Sequence, residues 1–472
     1  VTHFDLIIIG TGSGNSIPGE NFEDKSVAIV ERGVFGGTCL NVGCIPTKMF
    51  VYTADTAREF AEADRLGLKS KEPELSWEKL QARVFEQRVD PISAGGEDYR
   101  RGDRTPNITL FSGEAAFIGE RKLRITGDSE DVEISGDQVV IATGSRPMIP
   151  DVIRDSGVRY RTNEDIMRME KLPSSLTILG GGIVAVEFAH VFSSFGVDVT
   201  VVNRGPRLLR KLDSTLSEAF NTAAAHSWTT KNSVTVVDAK SVREHDHEAI
   251  SLSLDDGTEV VSEELLVATG RIPNSDTLNL SSTGVKVDHR GVIEVNEFGQ
   301  ASAEGVWALG DVANHLQLKH VANAEARVIA YNLLHPEDLR AVSHEVVPSG
   351  IFTHPQIGVV GLTEEEARGQ YEHITVKTQK YADVAYGWAM EDHTGLCKVI
   401  ADANSGKIVG AHVMGPQAAS LIQLFVTFIT FGIDARVAAK NQYWPHPALS
   451  EVVENALLGL EFNNPAPATI QP

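Results

Sequence analysis

Three cysteines in 472 residues are too few for a disulfide-stapled secreted scaffold, and Cys397 has no close sequence partner. A reducing cytoplasm is the expected setting. Long apolar runs are also missing. Leu6–Ile9 is far too short for a membrane span or the core of a secretion signal, and no basic segment precedes it. Positive charge is scarce: 42 Lys and Arg stand against 64 Asp and Glu, a net charge of −22. Nucleic acid is therefore a poor partner, because its phosphates need basic patches. No low-complexity tract occurs, and no metal site is expected. What remains is the composition of a soluble globular protein, 42% hydrophobic and 22% charged, long enough for about three domains.

Two of the three cysteines lie five positions apart, in Gly36-Gly37-Thr38-Cys39-Leu40-Asn41-Val42-Gly43-Cys44-Ile45-Pro46-Thr47-Lys48. An ideal helix holds Cα atoms at that spacing roughly 8.6 Å apart, whereas a disulfide needs about 7 Å or less. The pair closes only if the intervening backbone is distorted, which Gly43 permits. Pro46 then suits the first turn of a regular helix, placing Cys44 at its positive end where a thiolate is stabilised. This reads as a redox-active dithiol; the plain alternative is two core cysteines.

Two segments repeat one plan. The first runs from the strand-like Phe4–Ile9 into Gly10-Thr11-Gly12-Ser13-Gly14 and closes at Val139–Gly144. The second runs from Leu176–Leu179 into Gly180-Gly181-Gly182-Ile183-Val184-Ala185 and closes at Leu265–Gly270. Both end in Ala-Thr-Gly with a proline three residues on, and both starts read as a buried parallel strand feeding the glycine turn of a nucleotide-binding βαβ unit. In the first, Gly10 and Gly12 allow the turn and the close approach of a pyrophosphate, and Glu31 ends the next strand where an acid bonds a ribose. Its sixth motif position is Asn15 rather than Gly or Ala, which puts close helix–strand packing in question, and Pro18-Gly19 makes the following helix short. In the second, the strand Val197–Val202 ends in Asn203-Arg204 without an acid, and Arg207 and Arg210 follow. Arginines there suit a 2′-phosphate and favour NADPH over NADH, unless they are ordinary surface residues. From about Ser343 the texture changes to alternating strands, then helices near Ala418–Phe431 and Glu451–Leu460, as in a separate α+β unit.

On these residues the chain resembles the pyridine nucleotide–disulfide oxidoreductases, the group of glutathione reductase, dihydrolipoamide dehydrogenase and mercuric reductase. The resemblance covers Gly10-x-Gly12, Gly36–Lys48, Gly180–Glu187, Ala268–Arg271, Ala308–Asp311, and His446-Pro447 with Glu451. It implies an α/β fold of two Rossmann-like domains, for FAD and NADPH, the second inserted in the first, plus a C-terminal α+β dimerisation domain. The expected limits are 1–148 and 271–342 for the FAD-binding parts, 149–270 for NADPH, 343–460 for the dimerisation domain and 461–472 for a flexible tail. The implied FAD contacts are Gly10, Gly12, Ser13, Gly14, Glu31, Thr38, Lys48, Ala115, Thr143, Gly144, Asp311 and, through its backbone, Lys319. For NADPH they are Gly180, Gly182, Ile183, Glu187, Arg204, Arg210 and Gly270.

The implied chemistry is reduction of a small thiol disulfide in a homodimer with shared sites. Cys44 faces the flavin and Cys39 attacks the substrate. His446, from the partner subunit, protonates the leaving thiolate and is oriented by Glu451, while Lys48 and Glu187 pair beside the flavin. Tyr443 and Trp444 either wall the substrate cleft or are core aromatics. Gly10–Ser16, Thr47–Tyr52, Asp383–Asp392 and Gln442–Leu449 further resemble the branch that acts on the disulfide of a sugar-based thiol. No second cysteine pair lies near the C-terminus, which speaks against mercuric reductase. Reduction of another small disulfide remains open, of the glutathione or lipoamide type, as does a flavin oxidase or electron-transfer protein using the cysteines as a relay.

Overall fold

The structure, a computed structural model, describes residues 1–69, 74–127, 131–244 and 247–466. The first glycine loop hangs from β1 (Thr2–Ile9), whose Leu6, Ile7, Ile8 and Ile9 are all buried. A strand apolar on both faces belongs inside a sheet covered on both sides. Parallel strands β2 (Val27–Glu31), β3 (Ile108–Ser112) and β6 (Val132–Ile141) complete that centre in the order β3-β2-β1-β6. β4 (Glu114–Gly119) and β5 (Lys122–Thr126) extend it antiparallel. A late strand returns to β6, far from it in sequence.

The second glycine loop follows β8 (Ser175–Leu179), in a four-stranded parallel sheet with β9 (Asp198–Asn203), β10 (Thr229–Asn232) and β14 (Glu264–Val267), ordered β10-β9-β8-β14. A three-stranded antiparallel sheet, β11 (Val236–Glu244), β12 (His247–Leu254) and β13 (Glu259–Ser262), lies between β10 and β14 in sequence. The two Ala-Thr-Gly runs acquire their meaning here. Each feeds one strand of a two-stranded ribbon, β7 (Ser145–Pro147) against β15 (Arg271–Pro273), so the prolines mark the two crossings between the nucleotide-binding units. The strand that returns to β6 is β16 (Val306–Ala308).

The C-terminal unit is an antiparallel five-stranded sheet: β17 (Ser349–Ile351), β18 (Ile357–Gly361), β19 (Ile374–Lys380), β20 (Leu396–Asp402) and β21 (Ile408–Met414), ordered β17-β18-β21-β20-β19. Helices Ala418–Thr430 and Ser450–Leu458 bury Leu421, Ile422, Phe425, Val452, Val453 and Ala456 against it. The α/β class and both Rossmann-like loops are as the sequence leads one to expect. Two features are not. β4–β5 and β11–β13 are antiparallel additions to the two parallel units, although Lys122–Thr126 and Ile250–Leu254 alternate as half-buried strands do. The expected flexible tail is tied down over Glu461–Pro465: Thr375 accepts from the Glu461 N–H at 2.9 Å, and Arg436 donates to the Asn464 and Pro465 carbonyls. Its remainder, 467–472, lies outside the described residues.

Lys398 joins the C-terminal sheet to the second nucleotide unit. Its ammonium, 2% exposed, reaches both Asp213 oxygens at 2.8 and 3.0 Å and Glu364 at 2.7 Å. Burial raises the Asp213 pKa, but Lys398 and the Glu364 N–H outweigh it, and the net shift is downward. Lys398→Met leaves the buried Asp213 carboxylate without its cation, while Glu364 keeps Arg368, and is expected to cost about 3 kcal/mol. The check is the chemical-denaturation midpoint of the unit that carries Asp213; an unchanged midpoint would show that the pair adds nothing to stability.

Candidate active site

A cleft of about 1980 Å³ runs from the first glycine loop, past both cysteines, to the second loop and Arg204. At the first loop, φ at Gly10 is +106°, and a Cβ there would strike the Ala142 carbonyl. Glycine alone fits. Glu31 organises the loop: one carboxylate oxygen accepts from the Thr11 N–H at 2.9 Å and its hydroxyl at 2.5 Å, the other from Gly33 N–H at 2.9 Å. The doubt over Asn15 resolves plainly. Close packing falls to Gly14, whose Cβ would lie 2.7 Å from Ala142 Cβ and 2.9 Å from Ile8. Asn15 turns away and accepts from Arg100 Nε at 2.8 Å, and only a 3-10 turn, Gly14–Ser16, follows the motif.

Two helices meet at the cysteines. Gly37–Asn41 ends at Val42, and Cys44 opens the helix Cys44–Ala61, which carries Pro46 in its first turn. The distortion expected at Gly43 is present, but its cause is contact. A Cβ on Gly43 would sit 2.8 Å from the Thr38 carbonyl. Cys39 is half-buried, Cys44 is open to the cleft, and both are free thiols. The hydrogen bond from the Cys39 thiol and the Lys48 charge bring the Cys44 pKa down to about 6, against the opposing effect of burial. The same bond, with burial, pushes Cys39 upward. Of the two thiols, Cys44 is thus the more readily ionised.

Beside Cys44, Lys48 Nζ contacts both Glu187 oxygens at 2.7 Å and lies 4.9 Å from the Phe352 ring centre. The Phe352 N–H donates to the same carboxylate at 2.9 Å. Asp311 lines the cleft and accepts from the Ser145 hydroxyl at 2.6 Å. Thr38, Ala115, Thr143 and Gly144 line it too. Lys319 begins the helix Lys319–Leu334 and lines the cleft, and its ammonium donates to the Ser13 hydroxyl of the first loop at 2.9 Å.

The second loop repeats the first. Gly180 has φ +136° and no room for a Cβ beneath the Ala268 carbonyl, and Gly182 caps the helix Ile183–Ser194. Ile183, Glu187 and Gly270 border the cleft. Asn203 stands where an acid could be and turns inward, donating to the Gly205, Arg207 and Asn232 oxygens. Arg207 pairs with Glu218. Arg204 and Arg210 are exposed at the cleft and have no ion-pair partner among the described residues.

His446 and Glu451 form a pair at 2.7 Å, Nδ1 to Oε1, on the C-terminal unit, with the imidazole 70% exposed. The bond from His446 lowers the Glu451 pKa. Within one chain this pair does not line the cleft that holds the cysteines. Tyr443 is fully exposed, and Trp444 is half-buried, donating to the Ala439 carbonyl at 3.3 Å. Sequence reasoning missed Thr11, Ser145, Asn163, Phe352 and Arg271 as site residues. Arg271 follows an Ala-Thr-Gly run and was available as a signal; Phe352 had none. No helix of the described residues is long and apolar enough to cross a membrane.

The turns at Gly10 and Gly180 without room for a Cβ, the Glu31 carboxylate and the helix-start Gly182 fit two dinucleotides, one at each loop. A family model described as pyridine nucleotide-disulphide oxidoreductase matches residues 4–326, and the dimerisation domain of the same family matches 347–457. A mycothione reductase of Mycobacterium tuberculosis is 48% identical over 465 residues, 97% of this chain and 99% of that one. A glutathione reductase of Burkholderia cepacia is 32% identical, over 95% and 97%. The solved structure of an HOCl-induced flavoprotein disulfide reductase, RclA from Escherichia coli, superposes with a TM-score of 0.84 at 25% identity, over 96% of this chain and 99% of that one. With FAD and NADPH as its cofactors, the chain belongs to the pyridine nucleotide–disulphide oxidoreductase family.

Proposed function

We propose that this enzyme reduces mycothione, the disulfide of mycothiol, in the cytoplasm: mycothione, NADPH and a proton give two mycothiol and NADP⁺. The observation that carries the substrate is the 48% identity to a mycothione reductase across 97% of the chain. FAD, held by the first loop, Glu31, Thr38, Ala115 and Asp311, supplies two-electron transfer between NADPH and the cysteine pair. Cys44, the lower-pKa thiol, faces it; Cys39 is the nucleophile that forms a mixed disulfide with one half of the substrate and releases the other as a thiolate. His446 of the partner subunit protonates that leaving thiolate, oriented by Glu451 of the partner subunit. Cys44 then attacks Cys39, freeing the second thiol and restoring the disulfide. Lys48 offsets negative charge beside the flavin, and Glu187 holds Lys48 in place.

A homodimer supports this reading, since the His446–Glu451 pair lies outside its own chain's cleft and the dimerisation-domain match spans it. The same architecture supports unit limits of 1–148, 149–270, 271–342 and 343–460, with both crossings at the β7–β15 ribbon. A relay without a bound disulfide would leave the His446–Glu451 pair no proton to deliver. The deciding experiment is NADPH oxidation with mycothione, glutathione disulfide and lipoamide in parallel. Mycothione should exceed the others in kcat/KM by at least about 100-fold, as expected where polar groups read the substrate. Comparable rates with glutathione disulfide would overturn the assignment.

Arg204 and Arg210 are proposed to hold the 2′-phosphate. Arg204→Glu replaces an attraction with a repulsion, so kcat/KM for NADPH should fall on the order of 100-fold while that for NADH changes little. Equal losses with both nucleotides would remove the arginines from phosphate recognition.

A further inference from the structure

The break between the two cysteine helices leaves one backbone group with no possible helical partner. The Val42 carbonyl would accept from residue 46, and Pro46 has no N–H. Asn163, 9% exposed and 121 positions away in sequence, fills the gap: its Nδ2 donates to Val42 O at 2.9 Å. The other end of the same amide accepts from Arg271 Nη1 at 3.3 Å, which fixes which way the amide faces. Arg271 is itself immobilised across the ribbon. Its Nε donates to the Ser145 hydroxyl and its Nη2 to the Ser145 carbonyl, both at 2.6 Å, and Asp311 lies 3.8 Å from Nε. One continuous chain therefore runs from Asp311 and the β7–β15 ribbon to the peptide between Cys39 and Cys44.

We propose that Asn163 and Arg271 are positioning residues for the dithiol: the amide holds the Val42–Gly43 turn, and the buried guanidinium behind it favours the Cys44 thiolate. This rests on the redox role proposed for Cys39 and Cys44. Burial lowers the Arg271 pKa, and Asp311, Glu164 and, least of the three, Cys44 oppose that. The largest effects on Cys44 come from Cys39, Lys48 and Glu187, with that of Arg271 smaller, while Lys319 acts on Cys39. Arg271 differs from Lys48 in being tied to the hinge between the nucleotide units, so the turn bearing the thiols is referenced to that hinge and not only to its own helix.

The test uses FAD-loaded enzyme carrying Cys39→Ser, in which the Cys44 thiolate against the flavin is read as a long-wavelength absorbance band titrated with pH. Adding Arg271→Met should raise the midpoint of that band by about one unit, and Asn163→Leu by about half a unit. With both cysteines intact, Asn163→Leu should lower disulfide turnover about tenfold, while NADPH reduces the flavin within about threefold of the normal rate. Arg271→Lys keeps the charge and loses the fork; it should shift the midpoint less than Arg271→Met, and it decides the matter if Arg271→Met does not fold. Midpoints that do not move in Asn163→Leu and in the Arg271 variants would overturn the proposal. A Cys39→Ser enzyme with no band at any pH would overturn the dithiol reading, and this inference with it.

Discussion

Cys39→Ser and Cys44→Ser enzymes are expected to fail in different ways. Each should lose disulfide reduction on the order of 10³-fold or more, as when a covalent nucleophile is removed. Each should still accept hydride from NADPH, because that half-reaction needs neither sulfur. Only Cys39→Ser retains the thiol that opens the helix and faces Lys48, so only it should show a thiolate–flavin band. The sign of the pH dependence follows from a thiol held at about 6 in the presence of the Cys39 donor. The thiolate persists above that value and is protonated below it, so the band of the two-electron-reduced wild type should fade as pH drops through about 6. In Cys39→Ser the hydroxyl is a different donor, and the midpoint moves upward if it donates less well. Absorbance spectra of both variants, before and after NADPH, decide the assignment. A band in Cys44→Ser and none in Cys39→Ser would exchange the two roles.

The second large effect is expected at His446. Its imidazole is 70% exposed in the single chain, 2.7 Å from a Glu451 carboxylate that is largely sheltered. His446→Ala should reduce kcat about 10²- to 10⁴-fold, the range for loss of a general acid, and leave NADPH-driven flavin reduction intact. Glu451→Gln keeps the imidazole but weakens its orientation and charge, so its loss should be smaller. A mixing experiment separates a shared site from one within a chain. Cys39→Ser and His446→Ala subunits, each inactive alone, are dissociated, combined in equal amounts and reassociated. If the thiol and the imidazole of one site come from different subunits, each mixed dimer holds one intact site, and activity should return to roughly a quarter of wild type. No recovery, with mixed dimers demonstrated, would place the acid within the same chain.

Much of the site was legible because its chemistry demands rare residues at fixed spacing. Two cysteines five apart, a glycine where backbone must pass backbone, and an acid ending the second strand each leave a local trace. The Asn15 departure was legible as an oddity but not as an outcome, since only packing reveals that Gly14, touching Ala142 and Ile8, takes over the close contact. The bond from the Lys319 ammonium to Ser13, 306 positions away, left no trace in the sequence. The tail at Glu461–Pro465 reads as loose from its composition and is held by Arg436 and Thr375, partners 28 to 86 positions away. Composition has no access to such partners.

By itself the sequence determined the elements that depend on short-range chemistry: two parallel strand–glycine-turn units, the broken helix that carries the thiols, and a proline that deprives Val42 of its helical donor. Those are steric and hydrogen-bonding facts within a few residues of chain. The tertiary structure alone decided how these pieces share one cleft. It set Glu187 and Phe352 around Lys48, brought Asn163 to the Val42 carbonyl, and left Arg204 and Arg210 at the cleft with no ion-pair partner among the described residues while Arg207 found Glu218. Each of these contacts joins segments whose separation along the chain carries no record of their distance in space. Burial then fixes their energetics, because a charge or carbonyl removed from water must find its partner wherever the fold has placed one.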